Sequence, residues 1–283
     1  MITFTPDFTI KTKISRTKTV PIFFQIYSKS IRPKSIISKL DAKNLKAKII
    51  YQDDDIIIIN KPSGLAVQGG SRLNSNLDDM LKALYFEKNE KPRLVHRLDK
   101  DTSGVLLIAR HAPAARALAK SFQSKEIRKI YWAIVVGVPS KERGLIDLKL
   151  TKKIGVGGEK VIASVKNGKT SQTIFRIVDF AGDQAAWLVF EPLTGRKHQL
   201  RAHAVTLGTP ILGDGKYGQR KAFLKNDQIA TRLHLHARGM KFIHPAGHKM
   251  EILAPVPDYI TQTFKVLGFD LNKEKDPFME PVV

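Results

Sequence analysis

The chain has 283 residues, 42% of them hydrophobic, and a formal net charge of +22. That apolar content can build a real core, which excludes disorder throughout, and the positive excess points to nucleic acid or an anionic membrane surface. The strongest apolar runs, Ile56 to Ile59 and Ala133 to Val138, are strand-sized, so nucleic acid is the better partner; zero Cys removes disulfides and thiolate metal sites and fits a reducing compartment.

Residues 1–50 hold eleven Lys or Arg against Asp7 and Asp41, which is +9 of the +22. The secretory pattern of basic head, apolar core and small-residue cleavage site is missing, while the Ser/Thr/Lys richness leaves an organellar transit peptide open. A phosphate-contacting arm is the preferred reading of this leader, with a solvated tail as the alternative. The expected division is a leader over 1–48, a catalytic body over 49–270 and a tail over 271–283. From Ile49 the pattern reads strand, turn, strand: Ile49 to Tyr51, Asp53 to Asp55, Ile56 to Ile59. Asn60 to Gly64 is a loop, and Leu77 to Phe86 has helical spacing with Asn76 as its cap. Ala112 to Gln123 is a second helix with Pro113 near its start. Tyr131 to Val138, Gln172 to Asp179 and Ala185 to Glu191 read as strands, and His198 to Leu207 as a helix entered from the turn Leu193-Thr194-Gly195. Strands mixed with isolated helices predict α+β with a mixed, mostly antiparallel sheet.

Some local patterns carry no chemistry. Gly168-Lys169-Thr170 lacks the first Gly of a phosphate loop, and Gly155-Val156-Gly157-Gly158 reads as a hairpin tip. His234-x-His236 and His244-x-x-x-His248 have no third ligand at a telling spacing, so they read as core or surface histidines and no metal is expected.

The run His96-Arg97-Leu98-Asp99-Lys100-Asp101-Thr102-Ser103-Gly104 sets one carboxylate between two cations. On an extended approach Arg97 and Asp99 share a side, and nearby positive charge favours the ionised form. Taken alone, Asp-x-Thr-Ser-Gly is ordinary turn composition. Lys129-Ile130-Tyr131 puts a cation and a phenol on one strand face, suited to a phosphate and a base. Thr194 to His203 gathers Arg196, Lys197, His198 and Arg201 at a helix start; on a helix Arg196 and Arg201 diverge, one inward to a carboxylate and one toward a nucleic-acid backbone.

Taken together in order, "NKPSGLAVQGG" (60–70), "LVHRLDKDTSGVLLIAR" (94–110), "KIYWAIVVG" (129–137), "PLTGRKHQLRAHAVTLGTPILGDGKYG" (192–218) and "RLHLHARGMKFIHP" (232–245) make the chain resemble the RluA-type pseudouridine synthase family. The resemblance implies a pseudouridine synthase fold with a central RNA-binding cleft. It implies Asp99 as nucleophile, Tyr131 as the aromatic against the target uracil, Arg201 as the basic partner of Asp99, Leu200 packing on the base, and Arg97 inserted near the flipped nucleotide. Lys61, Lys129, Arg196 and His198 complete the expected RNA contacts. No cofactor is implied, since uracil is detached, turned and rejoined through carbon 5, and the product is an isomer. Asp99 could add to the anomeric carbon or otherwise stabilise an oxocarbenium-like sugar.

The resemblance is strongest to bacterial enzymes of large-subunit ribosomal RNA, which implies a cytoplasmic enzyme, with a mitochondrial matrix enzyme as the alternative if the leader is a transit peptide; the strand-sized apolar runs argue against membrane association, and as nothing in the sequence demands a dimer, a monomer is expected. Such relatives often begin with a small RNA-binding domain, of which only something like its tail surrounds Arg32-Pro33-Lys34. A synthase acting on tRNA, or a catalytically idle RNA-binding or ribosome-assembly protein, are the other readings.

Overall fold

Four consecutive isoleucines, Ile56 to Ile59, are all fully buried. A strand alternates its side chains, so an unbroken apolar run needs cover on both faces. The computed structural model supplies it: Ile57 and Ile59 pack with Leu77, Leu81, Leu84 and Leu106, while Ile56 and Ile58 pack on the other side with Leu107, Leu118 and Phe242. Burying one such side chain contributes about 1.5–3 kcal/mol.

The structure describes residues 39–69, 76–85, 90–155, 158–164, 167–274 and 276–279, all within a compact unit spanning 35–283. The leader up to residue 38 lies outside the described residues. In chain order the first elements are α1 (Lys39–Lys46), β1 (Ile49–Gln52), β2 (Ile56–Lys61), α2 (Leu77–Met80), β3 (Arg93–Leu94), β4 (Ser103–Ala109) and α3 (Ala112–Gln123). β5 (Arg128–Val136), β6 (Arg143–Gly155), β7 (Gly158–Ala163), β8 (Lys169–Ala181), β9 (Ala185–Pro192) and α4 (Gln199–Thr206) follow, then β10 (Leu235–Ile243), β11 (Lys249–Leu253) and α5 (Asp258–Leu267).

The strands form one sheet in the order β1-β2-β4-β10-β5-β9-β8-β6-β7, with β3 added to β4 and β11 to β10. Among the described pairings only β10 with β4 is parallel, His236 opposite Ser103 and Ala237 opposite Gly104. Gly104 makes this junction possible: its φ is +110°, and a β-carbon there would lie 2.1 Å from the Ala237 carbonyl oxygen. The junction roots the segment before β4, which carries Asp99, in the middle of the sheet. β5 runs beside it, with Ile130, Trp132 and Ile134 in one core cluster and Ala133 and Val135 in the opposite one, which Tyr131 packs against.

Helix boundaries follow local chemistry. α3 begins where Nδ1 of His111 accepts the Ala114 N–H, with Pro113 in its first turn. Asn76 caps α2 by accepting the Asp79 N–H, but after Met80 the helix tightens to a 3-10 turn over Leu81–Leu84 instead of running on as α-helix. α4 starts one residue later than expected, with His198 outside it in the left-handed region. Residues on either side of 49–270 also join the core: Leu45 of α1 is buried with the β2 and β4 side chains, and Phe278 is buried in the cluster of Trp132 and Phe264. α5, closed by Gly268 at φ +72°, is a helix the sequence reading did not name.

Candidate active site

Asp99 stands in an irregular segment between β3 and β4. Leu98 is buried with Ile57 and Leu106, and His96 accepts the Leu107 N–H at 2.8 Å while stacking on Phe122. These contacts tie the even positions to the core and leave Arg97 exposed and Asp99 half-buried, so the expected alternation survives although no strand forms there. After Asp99 the chain turns, Thr102 N–H donating to the Asp99 carbonyl at 3.2 Å. Ser103 Oγ then bonds the buried His236 Nδ1 at 2.9 Å.

Lys61 is a correction to the sequence reading. Its side chain is fully buried and does not line the cleft that holds Asp99; Nζ donates to the carbonyls of Pro62, Leu65 and Lys100 at 2.9, 2.8 and 2.9 Å. Three acceptors match the three N–H donors of an ammonium group. Lys61 is therefore the clamp that holds loop 62–65 against the residue following Asp99. Burial pushes its pKa down to about 7, against the opposing pull of Asp101 and Asp99.

The other expected residues, Arg97, Asp99, Lys129, Tyr131, Arg196, His198, Leu200 and Arg201, line one cleft of about 1200 Å³. Burial raises the Asp99 carboxyl above its ordinary value, opposed by Arg201, Arg97 and Lys197. A carboxylate stripped of water but surrounded by cations is reactive toward a cationic sugar centre. Burial, and then the charge of Asp99, raises the Tyr131 phenol, so it stays protonated at neutral pH. Burial lowers the Lys129 ammonium, with Glu191 opposing.

Arg201 makes its direct bonds elsewhere than expected. Nε and Nη2 donate to Asp214 at 2.8 and 2.7 Å, with the Arg201 side chain 8% and the Asp214 side chain 0% exposed. It also lies over the Tyr217 ring, 4.9 Å from the centroid. Arg201 acts on Asp99 through its field rather than by a bonded pair. Asp214 and Tyr217 were missed as site residues. A signal existed: Asp214 is the only acidic residue between Glu191 and Asp227, and a buried Arg needs a carboxylate.

Arg196 precedes α4 rather than lying on it, and its Nε donates to the Thr170 carbonyl at 3.0 Å. The turn that launches α4 is knotted by buried Gln199, whose Oε1 accepts from Thr194 Oγ1 and the Arg196 N–H, and whose Nε2 donates to the Gln172 carbonyl and Thr173 Oγ1. That knot fixes Leu200 and Arg201 against β8. His234 and His236 are core histidines, bonded to Thr263 and Ser103. Among the described residues no group of three His, Cys, Asp or Glu could hold a metal, and no helix is long and apolar enough to cross a membrane.

A half-buried carboxylate and a protonated phenol share a cation-lined cleft on a mostly antiparallel sheet, the arrangement that the resemblance to RNA-modifying isomerases of the pseudouridine type implies. The chain belongs to the RNA pseudouridylate synthase family, whose model matches residues 55–205 and so takes in Asp99, Tyr131 and Arg201. It is similar to the ribosomal large subunit pseudouridine synthase C of Vibrio cholerae, at 39% identity over 81% of this chain and 71% of that protein. The Rickettsia typhi protein of that name is 37% identical over 79% of this chain and 73% of its own length. Among solved structures, human RNA pseudouridylate synthase domain containing 4 superposes with a TM-score of 0.67 at 28% identity, covering 81% of this chain and 96% of that one. The chain is thus a pseudouridine synthase with the α+β fold and the enzymatic class its sequence implied.

Proposed function

We propose that this enzyme converts uridine to pseudouridine in large-subunit ribosomal RNA, using Asp99 against the anomeric carbon. The observation that carries the mechanism is the convergence of Asp99, Tyr131, Leu200 and Arg201 on one cleft. The Asp99 carboxylate stabilises the positive charge that develops at the sugar when the bond to uracil breaks. Leu200 and the Tyr131 ring hold the freed uracil while it turns, and the bond then re-forms through carbon 5. The proton on carbon 5 is exchanged for one on nitrogen, so the product is an isomer.

Asp99 is half-buried in the cleft, and in this reading the target nucleotide is flipped out to meet it at a cost of a few kcal/mol. Exposed Arg97 occupies the space the base leaves, and the positive surface offsets part of the cost through phosphate contacts. The ribosomal assignment is supported by the names of the similar proteins from Vibrio and Rickettsia. A monomer is the matching assembly, since one chain supplies every cleft residue named above. Action in the cytoplasm fits these bacterial relatives; N-terminal sequencing of the mature protein separates it from matrix import with leader removal.

Mapping pseudouridines in total RNA from cells with and without the gene tests the assignment. Loss at one or a few large-subunit rRNA positions is expected. Unchanged rRNA with losses confined to tRNA would overturn the ribosomal reading, and no change in any RNA would favour an idle RNA-binding protein.

A further inference from the structure

Among the described residues, the one basic side chain within 4.0 Å of the Asp99 carboxylate is His198, whose Nε2 lies 3.8 Å from Oδ1. The opposite ring nitrogen, Nδ1, is 2.9 Å from the Tyr217 hydroxyl oxygen. That oxygen already accepts the Val161 N–H at 3.0 Å. A phenol has one proton to give, and giving it to Nδ1 makes that nitrogen the acceptor of the pair. A neutral imidazole carries a single N–H, so with Nδ1 accepting, the hydrogen sits on Nε2 and faces Asp99.

Two further observations fit. Burial, followed by Arg201, Lys216 and Lys197, holds the ring neutral, its pKa at about 3. The backbone at His198 is left-handed, φ 52° and ψ 24°, which costs a residue with a β-carbon on the order of 1 kcal/mol. That conformation is not explained by capping: His111 caps α3 with its ring, whereas the His198 ring makes no cap bond to α4. Strain of this kind collects where a side chain must be aimed.

We propose that His198 is a positioning residue for the isomerisation: fixed by Tyr217 as the Nε2–H form, it gives the Asp99 carboxylate a neutral hydrogen bond that sets its orientation toward the sugar. A neutral donor aims the carboxylate without the full charge that would hold it in its resting state. The 3.8 Å gap closes to a hydrogen bond when substrate fills the cleft.

The kinetic arm of the test rests on the ribosomal reading, because its probe is a large-subunit rRNA transcript; the spectroscopic arm needs no RNA. In the full-length enzyme, nitrogen-15 NMR of the imidazoles should show His198 protonated at Nε2 and not at Nδ1. Tyr217→Phe keeps the ring under Arg201 and should mix the two forms. On the transcript, His198→Ala should lower kcat about 10- to 100-fold with KM changed less than about threefold, the loss expected for one hydrogen bond to a charged group. His198→Gln, which restores an N–H near Nε2, should recover more of kcat than His198→Asn. Tyr217→Phe should lower kcat severalfold alone and add less than about twofold in the His198→Ala background. An Nδ1–H ring, or a rise in KM with kcat unchanged, would overturn the proposal. So would equal activity of Asn and Gln variants, or additive losses in the double variant.

Discussion

Asp214→Asn should cost the folded protein about 3–5 kcal/mol, the penalty for leaving a buried charge without its partner. The native pair is bidentate at 2.8 and 2.7 Å, with Asp214 fully enclosed and Arg201 nearly so, and Asp214 Oδ1 also accepts the Tyr217 N–H at 3.1 Å. An amide keeps one acceptor but turns an N–H donor toward the guanidinium, so one bond is lost and the charge goes uncompensated. For a protein of this size each kcal/mol moves Tm by about 2–4 °C, which puts the expected fall at about 6–20 °C. Thermal unfolding of the full chain by circular dichroism measures it. Replacing both partners, Arg201→Met with Asp214→Leu, removes the buried charge altogether and should recover most of the stability, though not activity. A fall below about 2 °C for Asp214→Asn would refute the reasoning, because it would mean the guanidinium finds water or another anion when the carboxylate is gone.

Gly104→Ala should be among the most damaging single changes, costing more than about 4 kcal/mol. Its β-carbon would meet the Ala237 carbonyl oxygen at 2.1 Å, at φ +110°; soluble protein with near-normal Tm would contradict this. Lys61 gives a pH signature. Its pKa is about 7 when folded against the ordinary 10.5, so between those values the unfolded chain binds more protons and stability rises with pH. The unfolding free energy of wild type should therefore gain on that of Lys61→Met from pH 7 to pH 10, by up to about 1.4 kcal/mol per pH step, and stay level with it below pH 7; a flat difference across the upper range refutes it. Deleting residues 1–38, which carry seven Lys or Arg and leave Leu45 in place, should weaken RNA binding and flatten its salt dependence by about 0.7–0.9 per lost phosphate contact. An unchanged slope would show that the leader is not an RNA arm.

How much of this was legible in the sequence varies by residue. The unbroken apolar run at Ile56 to Ile59 announced a doubly covered strand, and Ala112 to Gln123 came out with the expected ends because Pro113 marked its start. Gly155 and Gly158 flank the expected hairpin tip and pair with each other. α5 went unnamed although Pro257 and Gly268 bracket it. Lys61 misled because Lys is almost never fully buried, and what buries it is a set of carbonyls from 62, 65 and 100 that only the tertiary fold assembles. The bonded anion of Arg201 was hidden for the same reason: Asp214 reaches it from a turn thirteen residues further on, while Asp99 acts on it through its charge alone. Asp99 stood out because the segments around it matched a family in order, not because its own neighbours differ from a turn.

On the proposed mechanism Asp99 alone meets the anomeric carbon, while the other cleft residues position it or hold RNA. Asp99→Asn keeps size and most polarity but removes the carboxylate. Pseudouridine formation in a large-subunit rRNA transcript should become undetectable by mass spectrometry, while the dissociation constant for the same RNA stays within about threefold of wild type, since one uncharged substitution removes no phosphate contact. Normal pseudouridine yield from Asp99→Asn would contradict a catalytic role for this carboxylate outright.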